Sequence, residues 1–470
     1  MPYIILFLFI SINANAAFQE IWQGYQDSYI NQIRNVETEA VQNNFDYLIN
    51  SNAWKINLEV EHDDTYLDAL FSFQAQQTIK QTYSIGIEKT SFRFGTFSYT
   101  ISNTRFDLSN WQSGVGTTNS DEVFETRGTL LYTYDFFNRA QGYEEKRIVQ
   151  NQIFESAQNK AQRHKEYLDF FKSYLNAKLS IYLRDLAIEI EKRAQKRLNL
   201  ISKRVKDGIS RKVDKLQAQS SLLKQEQEVN KAQSSLKENL AVIELVLRRE
   251  VPEEYLKVVT WKYTPFKEWN DILVEKVNYE FKSIEERIKL IDIESEKLRD
   301  QRGHSLKLTA SYISNSYNAN NSDSFDEAFN APENDSKVVG LLYSVPFGDS
   351  YHKSTLERQR INRKRAEYQK LDLKDKLEME RKVLLHNIQK FEKNYSYANR
   401  LVDLNKSILN EQNKLYLRGQ ATFDDVIRAE EAYINARVEE KRSLHNLETL
   451  YVEYAYLVGS IEDMIKRYDD

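Results

Sequence analysis

The residue types that most often carry catalysis or bind metals are spread thinly along this chain of 470 residues. None of its six histidines belongs to an H-E-x-x-H pair, the spacing that places two imidazoles on one helix face for zinc. The chain also lacks a G-x-S-x-G sequence around a nucleophilic serine and a Gly-Lys-Ser phosphate loop. We therefore predict that the protein is not an enzyme and that it uses no cofactor.

Two acidic clusters have residue types that could bind a cation. The first, His62-Asp63-Asp64, follows an alternating segment and is better explained as the turn at a strand end. The second lies in the segment from Asn315 to Ser336 and contains Asn320, Asp323, Asp326 and Glu327. This segment lacks the ordered Asp/Asn–Gly–Glu spacing of a calcium loop. We predict a hydrated surface loop there and no metal site.

The composition favours long helices and strands over several compact domains. The chain has only 13 Gly and 5 Pro, which leaves few turn-forming residues for its length. Its 29 Tyr and 23 Phe suit strands and membrane-interface aromatic belts. The formal net charge of −4 in a chain that is 29% charged gives no case for nucleic-acid binding. There is no cysteine, so disulfides are excluded.

The first 16 residues have the pattern of a secretory signal peptide. An apolar run from Tyr3 to Ile10 precedes Ala14-Asn15-Ala16, which fits a cleavage site after Ala16. No Lys or Arg precedes the run, and the alternative is a buried N-terminal strand. This run is too short to span a bilayer as a helix, and nowhere else do the roughly 18 apolar residues that such a helix needs occur together. If the chain enters a membrane, it must do so with strands.

The two halves of the chain repeat each other at a constant offset of 211 residues. The segment KDGISRKVDKLQAQ aligns with LRGQATFDDVIRAE, and LLYTYDFF aligns with LLYSVPFG. The aligned pairs include Tyr132 with Tyr343, Gly208 with Gly419, Asp214 with Asp425, and Ala218 with Ala429. An unbroken offset over strand-like and helical segments predicts two copies of one structural unit.

Each copy reads as strands followed by two long helices with a glycine between them. Alternating segments begin near Trp54, Thr82, Ser91, Val123, Ser305 and Val338. Long helices are predicted over 18–49, 143–206, from the break at Gly208 through 246, over 271–301, over 352–417, and from the break at Gly419 to about 459. Leu222, Val229, Leu236 and Ile243 recur every seven residues, which predicts a coiled-coil seam. The first copy has 39 extra residues between its outer strands, and we predict ordered β-structure over about 67–103.

We divide the chain accordingly. Residues 1–16 are the signal peptide, 17–250 the first structural repeat, 251–270 an irregular connector and 271–470 the second repeat. Each repeat is predicted to contain a helix, β-strands and a long coiled-coil hairpin.

This order of elements resembles the outer membrane efflux protein family typified by TolC. The most specific segments are LYLRGQATFDDVIRAEEAYINA from Leu415 and its partner RVKDGISRKVDKLQAQSSLL from Arg204. Both have a glycine, an aspartate six residues later and an alanine four residues after that, as at the family's helix-hairpin tips. The resemblance implies a mainly α fold with membrane β-structure. Duplicated helical hairpins would form an α-barrel, joined to the strands of a trimeric 12-stranded transmembrane β-barrel.

The resemblance also implies a function and partners. The protein would be the exit duct of a tripartite efflux or type I secretion system in the outer membrane, with a long periplasmic portion. It would form a homotrimer in outer-membrane lipid and bind a periplasmic adaptor and an inner-membrane transporter. The connector at 251–270 would lie in an equatorial belt. The alternative is a structural periplasmic coiled-coil protein that does not conduct, although such a protein would not need strands beside each coiled coil.

Five residues are singled out by the resemblance. Gly208, Asp214 and Gly419 would lie at adaptor-docking hairpin tips, and Asp425 and Arg428 would form the periplasmic gate. The family often carries two acidic residues three apart at the gate, whereas this chain has Arg428 in the second position. Alternatively, the glycines are helix C-caps and Asp425 is a solvated helix-start acid, because acids favour the first turn. We expect Asp425 about one and a half turns into the helix that follows Gly419. The exported substrate, whether drug, metal ion or polypeptide, is not specified by the sequence.

Overall fold

The structure is a computed structural model. It describes residues 18–50, 53–66, 77–91, 94–109, 122–137, 140–256, 263–270, 276–301, 305–330, 334–345, 347–348 and 350–469. The predicted signal peptide lies outside these residues, as do positions 67–76 and 92–93 of the extra segment and 257–262 of the connector. Every helix in the described ranges is too short or too polar to cross a lipid bilayer.

The helices and strands alternate in blocks along the chain. The helices are α1 (residues 18–26), α2 (Tyr29–Asn50), α3 (Ala140–Lys206), α4 (Lys212–Leu247), α5 (Phe266–Asn270), α6 (Tyr279–Gln301), α7 (Asn321–Asn330), α8 (Ser350–Leu417), α9 (Phe423–Leu457) and α10 (Ile461–Asp469). The strands are β1 (Lys55–Tyr66), β2 (Gln77–Ser91), β3 (Gly95–Ser109), β4 (Glu122–Asp135), β5 (Ser305–Asn318) and β6 (Asn334–Ser344).

The predicted heptad seam of α4 is buried. Leu222, Val229, Leu236 and Ile243 are each at most 8% exposed, and Ala218 is buried with them. Because these residues recur every seven positions, they lie on one face of the helix and pack as a continuous stripe. The seven-residue spacing therefore identified the inward face of α4 correctly.

The strands form one antiparallel sheet in chain order, β1-β2-β3-β4-β5-β6. The halves of the chain meet at β4 and β5, where Gly128 lies opposite Ser314. The resemblance implied four strands per chain, whereas this sheet has six, and the additional two are β2 and β3. They pair along their full length from Gln77↔Ser109 to Ser91↔Gly95. The prediction of ordered β-structure is thus confirmed for the described part of the extra segment.

The two faces of the sheet differ in polarity because side chains alternate along each strand. One face, here called the apolar face, carries Ile56, Leu58, Ile85, Ile87, Tyr99, Leu130, Tyr132, Leu308, Val339 and Leu341. The other, here called the polar face, carries Asn57, Glu59, Ser84, Thr100, Ser102, Arg127, Thr129 and Asn315. Much of the apolar face is open to solvent in a single chain, with Leu58 76% and Leu341 66% exposed.

The described residues fall into two compact units that cut across the sequence repeats. One comprises residues up to 39, 155–284 and 369–470, and the other comprises 40–154 and 285–368. The second unit contains the sheet and α7. The first unit contains the largest apolar core, to which α1, the connector and α10 contribute Phe18, Trp269 and Ile461. The chain ends and the connector therefore pack together within the first unit.

Two predicted helix boundaries are wrong. The helix predicted from Phe18 to Ile49 is interrupted at Asp27–Ser28. The helix predicted from Asp271 begins at Tyr279, because the Asn278 side-chain oxygen caps it by accepting two first-turn N–H groups at 3.0 and 3.2 Å. Residues 271–275 lie outside the described residues.

The hydrated loop predicted from Asn315 to Ser336 is also wrong, because it contains helix α7. Asn320 precedes the helix and donates to Asp323 at 3.0 Å, which stabilises the first turn. Ser324 is fully buried on the inner side of α7 and donates to the Thr126 hydroxyl of β4 at 2.9 Å. This contact joins residues far apart in the sequence. The helix therefore depends on tertiary contacts that the local composition does not indicate.

Candidate functional site at the hairpin turns

The two glycines predicted at the hairpin turns have the same geometry. Gly208 follows α3 with a φ of 73°, and Gly419 follows α8 with a φ of 77°. The backbone N–H of Ile209 donates to the Arg204 carbonyl at 2.8 Å, and that of Gln420 donates to the Leu415 carbonyl at 2.9 Å. These bonds define Schellman turns with glycine in the left-handed position that other residues adopt at a cost.

An aspartate holds the start of the next helix after each turn. Asp214 accepts the backbone N–H of Arg211 at 3.2 Å, and Asp425 accepts that of Thr422 at 2.9 Å. The Thr422 hydroxyl also donates to the Asp425 carboxylate at 2.6 Å and accepts the Asp425 N–H at 3.2 Å. Each aspartate thus satisfies a backbone donor that a helix start would otherwise leave unpaired.

The expected depth of Asp425 within its helix is wrong. It is the third residue of α9, since residues 419–421 form the turn, Thr422 is the cap and the helix begins at Phe423. The Thr422 hydroxyl, and then the Thr422 backbone N–H, hold the pKa of the Asp425 carboxyl below its usual value. Its negative charge is therefore used locally at the helix start.

Arg428 forms its ion pair with Asp424, one helical turn earlier. The guanidinium lies 2.5 Å from the Asp424 carboxylate, and the two side chains are 76% and 42% exposed. Arg428 also lowers the pKa of Asp425, as a smaller effect than the Thr422 hydrogen bonds. The structure thus brings Asp425 and Arg428 onto the same helix start, with Asp424 as an additional member that the sequence analysis missed.

The two turns are joined through Tyr416. The Arg204 guanidinium lies over the Tyr416 ring, 5.1 Å from its centre, and the Arg204 Nε donates to the Ser210 hydroxyl at 3.2 Å. That hydroxyl is 3.5 Å from the Tyr416 hydroxyl. Thr422 could have been found from sequence, because a Thr three residues before an acid indicates a helix cap. Arg204 and Tyr416 carry no such signal.

Behind the turns, a buried ion pair joins α9 to α3. Arg197 and Glu430 form an ion pair with side-chain exposures of only 14% and 10%. Ile201 of α3, Ala218 of α4 and Phe423 of α9 form a small buried cluster. The glycines themselves face open space, since a Cβ on either would meet nothing within 4 Å.

No metal-binding group is formed by His, Asp and Glu in the parts of the chain that the structure describes. The cluster His62-Asp63-Asp64 lies inside β1 and not at its end, so the predicted strand-end turn is wrong. His62 and Asp63 are paired across to Gln81 and Lys80 of β2, which extends the strand to Tyr66.

Comparison with protein-family models and with curated proteins finds no match. Among solved structures, the chain is similar to the outer membrane protein VceC of Vibrio cholerae, with a TM-score of 0.66 and 12% identity over 94% of this chain and 96% of that one. It is similar to the CmeC outer membrane channel of Campylobacter jejuni, with a TM-score of 0.65 and 12% identity over 98% and 89%. It is also similar to the open state of the MtrE outer membrane channel of Neisseria gonorrhoeae, with a TM-score of 0.65 and 12% identity over 94% and 89%.

Proposed function

We propose that this chain, which has a TolC-like fold, is one protomer of an outer-membrane exit duct for solutes. The observation that carries the proposal is the apolar face of the sheet, where Leu58, Val339 and Leu341 are 76%, 75% and 66% exposed. Exposed apolar surface on this scale marks a membrane or protein contact, and polar–apolar alternation is typical of membrane-spanning strands. A non-conducting coiled-coil protein, the alternative, would not need such a sheet.

The sheet needs other copies of the chain to close. Its outer strands, β1 and β6, have no further neighbour in the sheet that the structure describes, and open strand edges are not tolerated within lipid. With six strands per chain, a trimer would close about 18 strands in place of the 12 that the resemblance implies. Because barrel diameter grows with strand number, this outlet would be wider, with the polar face lining it.

Two exposed apolar stripes near the hairpin turns support a trimer. The first stripe contains Val213, Leu216 and Leu223 of α4 and Ile209 of the turn before it, and the stripe on α8 contains Tyr397, Leu401, Leu404 and Ile408. Leu223 lies 11 residues from the start of α4 and Leu404 lies 13 residues from the end of α8, so they are at similar distances from the turns of their own hairpins. We infer that α4 of one copy packs against α8 of the next and buries both stripes.

The hairpin turns would face the partners of the duct. Gly208 and Gly419 sit in open, regular turns, and Asp214 fixes the helix start beside the first of them. Such rigid, exposed turns suit docking of a periplasmic adaptor, which would connect the duct to an inner-membrane transporter. Tripartite efflux and type I secretion both use this arrangement, and the exported solute distinguishes them.

The gate is proposed at the start of α9. In a trimer Asp425, Arg428 and Asp424 would recur three times around the narrow end. Asp424 pairs with Arg428 in its own chain, and the same Arg428 could reach an acid of a neighbouring copy. Pairs of opposite charge would relieve the repulsion between acids held close together in a closed ring.

Two measurements test the proposed duct. After cell fractionation, the full-length protein should be found in the outer membrane, and purified trimer should open channels in planar lipid bilayers. A soluble periplasmic protein that opens no channels would contradict the proposal and favour the structural alternative. The genes beside this one should encode a pump and an adaptor, and the type of pump would identify the substrate class.

A further inference from the structure

Helix α7 lies across one end of the sheet and is fastened there by side chains. Ser324 donates to the Thr126 hydroxyl at 2.9 Å and to the Ser316 carbonyl at 3.2 Å. Asn103 of β3 donates to Asn321 at 2.7 Å, and the Ser316 hydroxyl donates to Glu327 at 2.6 Å. The helix is therefore a fixed part of the sheet surface, anchored to β3, β4 and β5.

The side of the sheet that α7 covers can be read from the strand register. Asn103, Thr126 and Ser316 lie opposite one another, and four residues further along lie Tyr99, Leu130 and Tyr312. An even separation places both rows on the same face. Helix α7 thus covers the polar end of the apolar face, about 13 Å along the strands from the first apolar row at 3.3 Å per residue.

Two phenylalanines of α7 extend this apolar surface beyond the strands. Phe325 and Phe329 are four residues apart, with ring centres 5.0 Å apart, and remain 49% and 37% exposed. The Phe329 ring lies beside β4, where a Cβ on Gly128 would be 3.2 Å from it. Asp323 lies on the opposite flank of the helix, because successive residues turn by about 100°.

We propose that α7 is a rim helix whose Phe325 and Phe329 enter the boundary between lipid headgroups and acyl chains. This inference rests on the proposed function, which places the apolar face against lipid. At the level of α7, the apolar face of the sheet changes from apolar to polar residues. Membrane-spanning strands carry their aromatic girdles at this boundary. Lipid is favoured over a protein partner because the aromatic pair is continuous with the lipid-facing side chains of β3 and β4.

A position-specific fluorescence measurement tests the proposal. The chain has no cysteine, so a single introduced cysteine can carry an environment-sensitive dye in full-length trimer reconstituted into phosphatidylcholine vesicles. Ser322→Cys is on the phenylalanine flank and keeps both rings, and Asp323→Cys on the other flank is its matched control. Phosphatidylcholine brominated near the headgroup should quench the dye at position 322 and leave that at 323 nearly unquenched. Adding Phe325→Ser and Phe329→Ser should reduce the quenching at 322.

Two further positions separate this proposal from the proposed function. A dye at Leu58→Cys on the apolar face should be quenched by phosphatidylcholine brominated deep in the acyl chains, and one at Glu59→Cys on the polar face should not. If Leu58→Cys is quenched and Ser322→Cys is not, α7 faces water or protein and the rim-helix proposal is wrong, while the duct proposal stands. If Leu58→Cys is also unquenched, the sheet is not in lipid and both proposals are wrong.

Discussion

The carboxylate of Asp425 forms hydrogen bonds at the start of its own helix. Its hydrogen bonds to the hydroxyl and N–H of Thr422 close the first turn of α9. Arg428 and Asp424, in contrast, form an exposed pair on the outside of the same turn. At the level of single residues, the start of α9 therefore has one charge that builds the turn and two that remain accessible to a neighbouring copy.

The local role of Asp425 predicts a pH-dependent helix start. The pKa of Asp425 is lowered in the folded protein, so its stabilisation is present above the ordinary aspartate pKa of about 3.9 and is lost as pH falls through the lowered value. Hydrogen exchange of residues 420–428, corrected for intrinsic rates, should therefore rise in that acidic range.

The matched variants for this measurement are neighbouring aspartates. Asp425→Asn should remove the acid-dependent step, because its amide oxygen can still accept a hydrogen bond but there is no carboxylate to protonate. Asp424→Asn should keep the acid-dependent step, because Thr422 and Asp425 are intact. An identical acid dependence in Asp425→Asn would show that another group holds the turn.

The gate proposal makes a separate prediction about conductance. The double variant Asp425→Ala, Arg428→Ala should raise single-channel conductance in planar bilayers without loss of the trimer. Since Asp424 is the observed partner of Arg428, Asp424→Ala, Arg428→Ala should raise it as well. The exposed pair Glu357→Ala, Arg360→Ala on α8 serves as the control. Unchanged conductance in both gate variants would place the constriction elsewhere.

At the scale of whole elements, the sequence predicted what is repeated or periodic and missed what depends on distant contacts. The glycine turns and the buried face of α4 followed from the 211-residue offset and the heptads. The alternation over 82–101 predicted β2 and β3, although not how far each extends. Helix α7 was missed because its sequence is rich in Asn, Asp and Ser, which favour turns. Its helical state depends on contacts such as Ser324 with Thr126, almost 200 residues away.

The ion pair between α3 and α9 was also invisible in the sequence, and it carries a prediction about stability. Glu430→Ala should lower the free energy of unfolding by about 3–5 kcal/mol, because it leaves the Arg197 charge buried without its partner. The double variant Arg197→Met, Glu430→Met should restore most of the loss, because it removes both charges and keeps apolar volume. Denaturant unfolding of the purified protein measures both.

A neighbouring ion pair gives the control. Glu431 pairs with Lys224 at 2.9 Å, but these side chains are 45% and 61% exposed. Glu431→Ala should therefore cost only about 0–1 kcal/mol. Equal losses for Glu430→Ala and Glu431→Ala would mean that the buried pair contributes no more than a surface pair.

At the scale of the molecule, the sheet and the hairpins leave surfaces that one chain does not cover. The sheet has an exposed apolar face and two outer strands. The hairpins have the apolar stripes on α4 and α8. Lipid can cover the first surface, but the strand edges and the stripes need protein of matching shape. The proposed ring of identical copies would supply it, because each copy would present both sides of the same contact.

The size of that ring can be counted by cross-linking. In the cysteine-free chain, Leu223→Cys on α4 and Leu404→Cys on α8 are 65% and 57% exposed. Leu223 lies 11 residues, about 17 Å, from the start of α4, and Leu404 lies 13 residues, about 20 Å, from the end of α8, at 1.5 Å per residue. A short bifunctional maleimide should therefore join neighbouring copies in membranes and give a ladder of bands that stops at three. Leu222→Cys with Leu404→Cys is the matched control, because Leu222 is 8% exposed and faces its own chain. A closed ring of three copies limits the ladder to three bands, whereas an open assembly would give more bands. Bands larger than a trimer, or a monomer band alone, would contradict the trimer.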